Sequence, residues 1–358
     1  MTFEEARALF PVLDRVTYLN AGTFGPLARS TVDVMVEQAG RDLDAGRSGK
    51  QYIDEMVDAR AKVRGAIAEL LRAEPERISL TGSTTDGCNI VLLGLGLRQE
   101  EEIVTTDAEH FGLAGPVFTS GARVRVARVH GLGPEETLEA ILAEVTPRTR
   151  LLAVSHVIWT NGVVLDVHAL RERTGLPVLV DGAQSVGAID VDVGAVDYYT
   201  VSGQKWLCGP ESTGALYIAD PDTLRVARPS YFAQLSFEPG GRYEQRESAE
   251  RFDPGWISVA SLMGFATAMA SAPDWRFERI AATAARCREA LAERVEVVTP
   301  PAQAGLVTFE VDDDPEQVVS TLLAANVVVR NIPGTPYVRA SCGWWTSDED
   351  VERLVAAL

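Results

Sequence analysis

The sequence predicts an α/β protein: a three-layer domain around a mainly parallel sheet, with a smaller α+β domain appended. Short apolar runs recur through the middle of the chain, separated by helical patterns, as buried parallel strands require. Most of these runs end in small or polar residues, and open α/β sheets gather their functional groups beyond such strand ends. After about residue 260 the pattern changes to helices followed by strands, which marks a second unit.

Taken in order, helices are expected at 27–44, behind Pro26, and at 52–73, where apolar residues keep helical spacing. "RISL" (77–80) reads as a strand and 84–95 as a helix opening with hydroxyls. Strands follow at 102–106 and 123–129, the latter alternating with period 2, and an amphipathic helix at 133–145. The runs 150–157, 177–183 and 196–202 complete the buried sheet. The polar, Gly-rich stretch 232–256 reads as a long functional loop. Helices 259–271 and 275–293, strand 306–311, helix 314–325, strands 326–331 and 336–341 and a helix from Ser347 build the second unit. The expected division is a large domain, 26–258, and a small one made of 1–25 and 259–358.

Hydrophobic residues make up 46% and charged residues 23% of the 358-residue chain, enough for a substantial core. The net charge of −18 repels phosphate backbones, so nucleic acid is excluded as an expected partner. The cysteines, Cys88, Cys208, Cys287 and Cys342, form no C-x-x-C pair, so no metal site is expected. The acidic N-terminus lacks a signal-peptide core, and no run approaches the ~18 apolar residues of a membrane span. A soluble, cytoplasmic protein is expected, with no membrane contact. "LGLGLRQ" lacks the third glycine of a dinucleotide fingerprint, and "GRSGKQ" lacks the spacing of a P-loop.

The chemistry-bearing residues cluster at strand ends. "VLVDGAQS" delivers Asp181 and Gln184, "VDYYTVSGQK" delivers Ser202, Gln204 and Lys205, and "VTTDAEH" delivers His110. "GSTTDG" sets Ser83, Thr84 and Thr85 at a helix start, where free N–H groups and the macrodipole favour a phosphate. A lysine so placed can form a Schiff base with an aldehyde. Pyridoxal 5′-phosphate (PLP) further needs hydroxyls and amides for its phosphate, a carboxylate for its ring nitrogen and a flat partner for its ring. Thr84/Thr85, Asp181 and His110 supply these types. Each has a plainer role when taken alone: Asp181 and the threonines are helix-capping types, and His110 and His156 are common structural histidines.

"DGAQSVGAIDVDVGAVDYYTVSGQKWLCGPESTGALYI" (181–218) resembles the signature of class V aminotransferase-fold PLP enzymes, a group with cysteine desulfurases, cystine C–S lyases and isopenicillin-N-epimerase-like proteins. "YLNAGTFGPL", "GSTTDGCN", "TTDAEH" and "SHVIWTNGVVLDV" match in the same order, so the resemblance spans nearly the whole chain. It implies the fold type I architecture with a seven-stranded, mainly parallel sheet, and a homodimer acting on a small amino acid. It also implies Lys205 as cofactor lysine and proton shuttle, Asp181 at the ring nitrogen, Gln184 at the ring oxygen and His110 stacked on the ring. Ser83, Thr84, Thr85, Ser202 and Gln204 would surround the phosphate. Arg339 would clamp the substrate carboxylate, with Asn20, Ala21 and His156 on the substrate side. Two departures stand out: Trp256 stands where a threonine would reach the partner's phosphate, and, bearing on the reaction, "NVVVRNIPGTPYVRAS" contains no nucleophilic cysteine. The expectation is therefore β-elimination, a C–S lyase, on a cysteine- or cystine-like substrate. Desulfurase-like, transaminase or epimerase activity is the alternative, and a PLP-binding sensor without turnover is the non-enzymatic one.

Overall fold

The computed structural model describes residues 1–358. Helix α1 (Phe3–Arg7) is closed at its start by Thr2, whose hydroxyl accepts from Glu5 N–H while Glu5 accepts from Thr2 N–H. Strand β1 (Thr17–Tyr18) leads to α2 (Arg29–Ala45) and α3 (Gly49–Leu71). Met56, Ala59, Val63, Ile67 and Leu71 recur at three- and four-residue steps along α3 and are buried together. Arg72, in the left-handed region at φ 57°, ends that helix.

The large sheet then assembles through β2 (Ile78–Thr81), α4 (Thr84–Leu95), β3 (Glu102–Thr106), α5 (Phe111–Thr119), β4 (Arg123–Ala127), α6 (Pro134–Ala143), β5 (Thr149–Ser155), α7 (Val167–Thr174), β6 (Val178–Asp181), β7 (Tyr198–Ser202) and β8 (Gly214–Ile218). It has seven strands in the order β2-β8-β7-β6-β5-β3-β4. Only β8 runs antiparallel to its neighbours. Alternation along each strand divides the core in two. Val104, Leu152, Val154, Val180, Tyr199 and Val201 pack with α3, while Ile103, Leu151, Ala153, Leu179 and Tyr198 pack with α4 and α5. Both faces are covered, which is why the strands read as continuous apolar runs.

The stretch expected as a loop at 232–256 is partly ordered as a hairpin, β9 (Gln234–Glu238) and β10 (Arg242–Gln245), turning on Gly240 and Gly241 at φ 123° and 117°. Leu235 and Phe237 alternate with polar residues along β9, and Phe237 pairs with Tyr243 of β10, but all three are exposed, so the hairpin presents its apolar face to the outside rather than to the core. Helix α8 (Val259–Ala270), expected within the small domain, packs against α2 and α3, and α9 (Arg276–Ala292) follows it. In the second unit, β11 (Leu306–Glu310), α10 (Pro315–Ala324), β12 (Val327–Val328), β13 (Arg330–Asn331), β14 (Tyr337–Ser341) and α11 (Asp348–Ala357) follow. The expected strand 326–331 is split: β12 pairs in parallel with β1, whereas β13 pairs with β14. The β1–β12 pairing ties the N-terminal segment to the C-terminal unit, whose core includes Leu19, Cys287, Val307, Phe309 and Leu354. No helix is long and apolar enough to cross a membrane.

Candidate active site

The turn carrying Lys205 is locked by its own backbone. Gly203 N–H donates to Thr213 O and Gly209 N–H to Gly203 O, each at 2.8 Å, and Cys208, at φ 53°, donates to Lys205 O at 3.0 Å. Gly25 from the N-terminal segment donates to Gln204 O at 2.8 Å, and a Cβ on Gly25 would lie 2.2 Å from Lys205 O. Trp206 fixes the other side: its indole Nε1–H donates to Gln184 Oε1 at 3.0 Å, and its ring covers Gly305. Burial draws the Lys205 ammonium down to about 8; Asp181 opposes the shift, and Arg339 and Arg330 add to it. A neutral amine is thus accessible near neutral pH, as a nucleophile or base requires.

Asp181 ends β6 on the face turned to α4. Its Oδ1 accepts from Ala183 N–H at 2.9 Å and from the Thr200 hydroxyl at 3.4 Å, while Oδ2 takes no hydrogen bond from the chain. Burial raises its pKa, with the Lys205 charge opposing. His110, the N-cap of α5, accepts from Gly112 N–H through Nδ1 at 3.2 Å, which places its proton on Nε2. Burial and then the Lys205, Arg330 and Arg339 charges hold its pKa near 4, so the ring is neutral at pH 7. Trp159 meets it edge-on at 5.0 Å. A Cβ on Gly112 would lie 2.7 Å from Thr85 Oγ1 and 3.3 Å from His110 Nδ1, so these two side chains converge.

Ser83 caps α4, its hydroxyl accepting from Asp86 N–H at 3.1 Å, and Thr84 and Thr85 occupy the open first turn. Ser202 donates to Gln204 Oε1 at 2.8 Å, leaving the Gln204 amide N–H groups for another acceptor. Gln184 is held by Gly22, its Nε2 donating to Gly22 O at 2.8 Å. These groups fit PLP: a helix start with hydroxyls for a phosphate, an unpaired carboxylate oxygen for a ring nitrogen, a neutral imidazole and an amine.

Arg339 is fully buried, yet only Nη1 is bonded, to Trp159 O at 2.8 Å. Its Nε and Nη2, together with Ser341 Oγ, Asn20 Oδ1 and Trp159 Nε1, have no partner in the chain. Burial and the Arg330 charge lower its pKa to about 9, so it remains a cation at pH 7. A buried cation with free donors calls for an anion, and a planar guanidinium suits a carboxylate. The cradle lies over Gly22, where a Cβ would come within 2.8 Å of Arg339 Nη2 and 2.9 Å of Ser341 Oγ. Gly22→Ala is therefore expected to raise the apparent KM for amino acid by ~10-fold or more while bound PLP is retained, since displacing a charge-assisted pair loses ~1.5–3 kcal/mol. Steady-state kinetics beside a PLP absorption spectrum check it.

Sequence reasoning missed Arg330, which stands opposite Arg339 in the β13–β14 register and donates to Thr23 Oγ1 at 3.2 Å. Its signal lay in strand pairing, which composition does not reveal. Ala21, directly before Gly22, is fully buried in a packing cluster with Phe10 and Trp206. One expected substrate-side residue is placed elsewhere. His156 follows Ser155 and so turns to the opposite face of the sheet, where Nδ1 meets Tyr199 Oη at 2.6 Å and Tyr199 meets Ser185 at 2.5 Å. Burial, with His168, lowers His156 to about 4. It folds neutral from an unfolded value near 6.5. Its contribution is therefore full above pH 6.5 and lost as pH falls toward 4, on the order of 3 kcal/mol at most. Thermal unfolding between those pH values should be less steeply pH-dependent in His156→Phe than in the wild type.

Cys208 and Cys88 are buried thiols, and burial pushes both well up from the ordinary thiol range, so neither is a ready nucleophile. Between Asn331 and Tyr337 the chain makes a tight turn, with Ile332 N–H donating to Tyr337 O at 2.9 Å and Gly334 at φ 76°.

Known proteins share the sequence pattern and the fold. An isopenicillin N epimerase of Amycolatopsis lactamdurans is 31% identical over 96% of this chain and 94% of its own length. A cysteine desulfurase of Enterobacter sp. (strain 638) is 30% identical over 99% and 97%. A lysine-to-alanine mutant of C-DES, with glycine covalently linked to the PLP cofactor, superimposes with a TM-score of 0.91 at 28% identity over 98% of both chains. The cystine C–S lyase C-DES in complex with its product cysteine persulfide gives 0.90 at 28% identity, covering 97% of this chain and 98% of that one. Residues 18–354 match the model of the class-V aminotransferases, and the chain belongs to that family of PLP-dependent enzymes.

Proposed function

We propose that the enzyme is a C–S lyase acting by β-elimination on a cysteine- or cystine-like amino acid. The observation that carries this is the closed turn at 332–336: it offers no loop and no thiol, so sulfur cannot be passed to a cysteine of this chain there. PLP, when bound, withdraws electrons from Cα through its protonated ring. Arg339, with Arg330 beside it, would seat the α-carboxylate, and His110 would hold the ring face. The Lys205 amine would take the proton from Cα. The Cβ–S bond then breaks with its electron pair leaving on sulfur, and the released enamine hydrolyses to pyruvate and ammonia. The similarity to the C-DES–cysteine persulfide complex supports the same leaving-group chemistry.

The test is pyruvate release from L-cystine and S-substituted cysteines by the PLP-loaded enzyme. Stoichiometric pyruvate is expected; none from any of them overturns the reading. A second reading, epimerisation, is favoured by the isopenicillin N epimerase relatives. It needs a second base on the opposite face of Cα, a task for which His156 is out of position, and it would show as racemised substrate without pyruvate. The proposed working form is a homodimer. Val32 and Val36 on α2, Ile53 and Val57 on α3, and Tyr231 stacked on Trp256 at 5.5 Å expose apolar surface suited to a second copy.

A further inference from the structure

We propose that Glu109 is a positioning residue for the cofactor: clamped beside the ring site, its carboxyl group sets the field in which Asp181 meets the ring nitrogen. Glu109 directly precedes His110 and is partly buried. Its Oε1 accepts from the Thr106 hydroxyl at 2.7 Å and its Oε2 from the Ser155 hydroxyl at 2.5 Å. Ser155 is the register partner of Asp181 on the neighbouring strand and shares its face. The clamp therefore ties a second carboxyl group to the register partner of the one that must stay ionised to hold a protonated ring, close enough for the Asp181 charge to act on it.

The groups facing this pair come from several elements. From α4, the Cys88 thiol lies near both carboxylates, and with burial they keep it protonated. From the turn after β7, Lys205 acts on Asp181. From the second unit, Arg330 and Arg339 act on His110 and Lys205. Glu109 itself is held by two hydroxyl groups and makes no salt bridge. Burial lifts it to about 7, the hydroxyl bonds pull against that, and Asp181 adds to it. Asp181 has a cation to meet in the ring nitrogen, and Glu109 has none, so Glu109 is the one that takes up the proton. Above about pH 7 its charge deepens the negative field around the ring nitrogen; below, that support is withdrawn.

The test needs no amino-acid substrate, so it stands or falls apart from the C–S lyase reading. The Kd of PLP is measured by absorption and tryptophan fluorescence across neutral pH for the wild type, Glu109→Gln and Ser155→Ala. Taking the ratio of variant to wild type cancels the titrations of Lys205 and of the cofactor. For Glu109→Gln the ratio is expected near one on the acid side, rising to about tenfold on the alkaline side, since one pKa unit of interaction is tenfold. Ser155→Ala keeps the carboxyl but removes a donor to its ionised form, which raises its titration. Its ratio should therefore peak just above neutral pH and fall again. A ratio that is flat with pH for Glu109→Gln, at one or uniformly raised, overturns the proposal. Should that variant fail to fold, a Ser155→Ala ratio without a peak does so instead.

Discussion

Lys205→Ala is expected to reduce turnover by ~10³-fold or more, in the upper range for removal of a positioned acid–base group. The reason is positional. The amine is the only one the structure brings beside Asp181, and its turn is pinned at Gly203, Gln204 and Lys205 by bonds to Thr213, Gly25 and Cys208. Water at bulk pKa cannot replace a buried amine drawn to about 8. The helix start at Thr84 and Thr85, His110 and Asp181 remain in the variant, so PLP should still bind but without the visible band of its covalent lysine adduct. Turnover within tenfold of wild type would remove Lys205 from the chemistry. A second consequence is electrostatic: Lys205 is among the cations depressing His110, so the imidazole should titrate higher in the variant, readable by NMR.

The largest expected effect on stability belongs to Asp253, which is almost fully buried. Its Oδ2 accepts from Arg60 at 2.5 Å and Arg64 at 3.0 Å, and its Oδ1 from the Ser79 hydroxyl at 3.0 Å and Leu80 N–H at 2.8 Å. One carboxylate thus joins α3, β2 and the segment behind the β9–β10 hairpin. Arg60 also lies 3.9 Å over the Phe232 ring, on which Trp256 packs edge-on at 4.9 Å. Asp253→Ala leaves two buried guanidinium groups without that carboxylate and is expected to cost ~3–5 kcal/mol. Denaturant unfolding checks it; a loss below ~1 kcal/mol would show that water reaches the two arginines. Because the same network seats the aromatic surface proposed for the dimer, the variant should also dimerise more weakly.

How much of the site was legible follows from geometry. Asp181, Ser202 and Lys205 stand at the ends of apolar runs, and Thr84 and Thr85 begin a helix. Parallel-sheet topology alone carries such positions to one edge of the sheet. Arg330 was not legible, because its place beside Arg339 depends on the β13–β14 register. His156 was misplaced for a related reason: one step beyond Ser155 reverses the face, and the count of residues past a strand end is not readable before the strand's limits are known. The helices α5 and α7 escaped notice because one contains Pro116, Gly112 and Gly115 and the other is short and polar.

By itself the sequence determined the layered α/β architecture and the residues that suit PLP, because periodicity and strand-end chemistry are local properties of the chain, and its motifs in order carried the resemblance to the family. Only the tertiary structure decided that Gly22 leaves room for a buried, half-bonded Arg339, that the thiol-free stretch 332–336 closes as a tight turn, and that Glu109 is clamped by the register partner of Asp181. Those are distances between segments remote in sequence, and they are set by how the sheet, the N-terminal segment and the C-terminal unit pack.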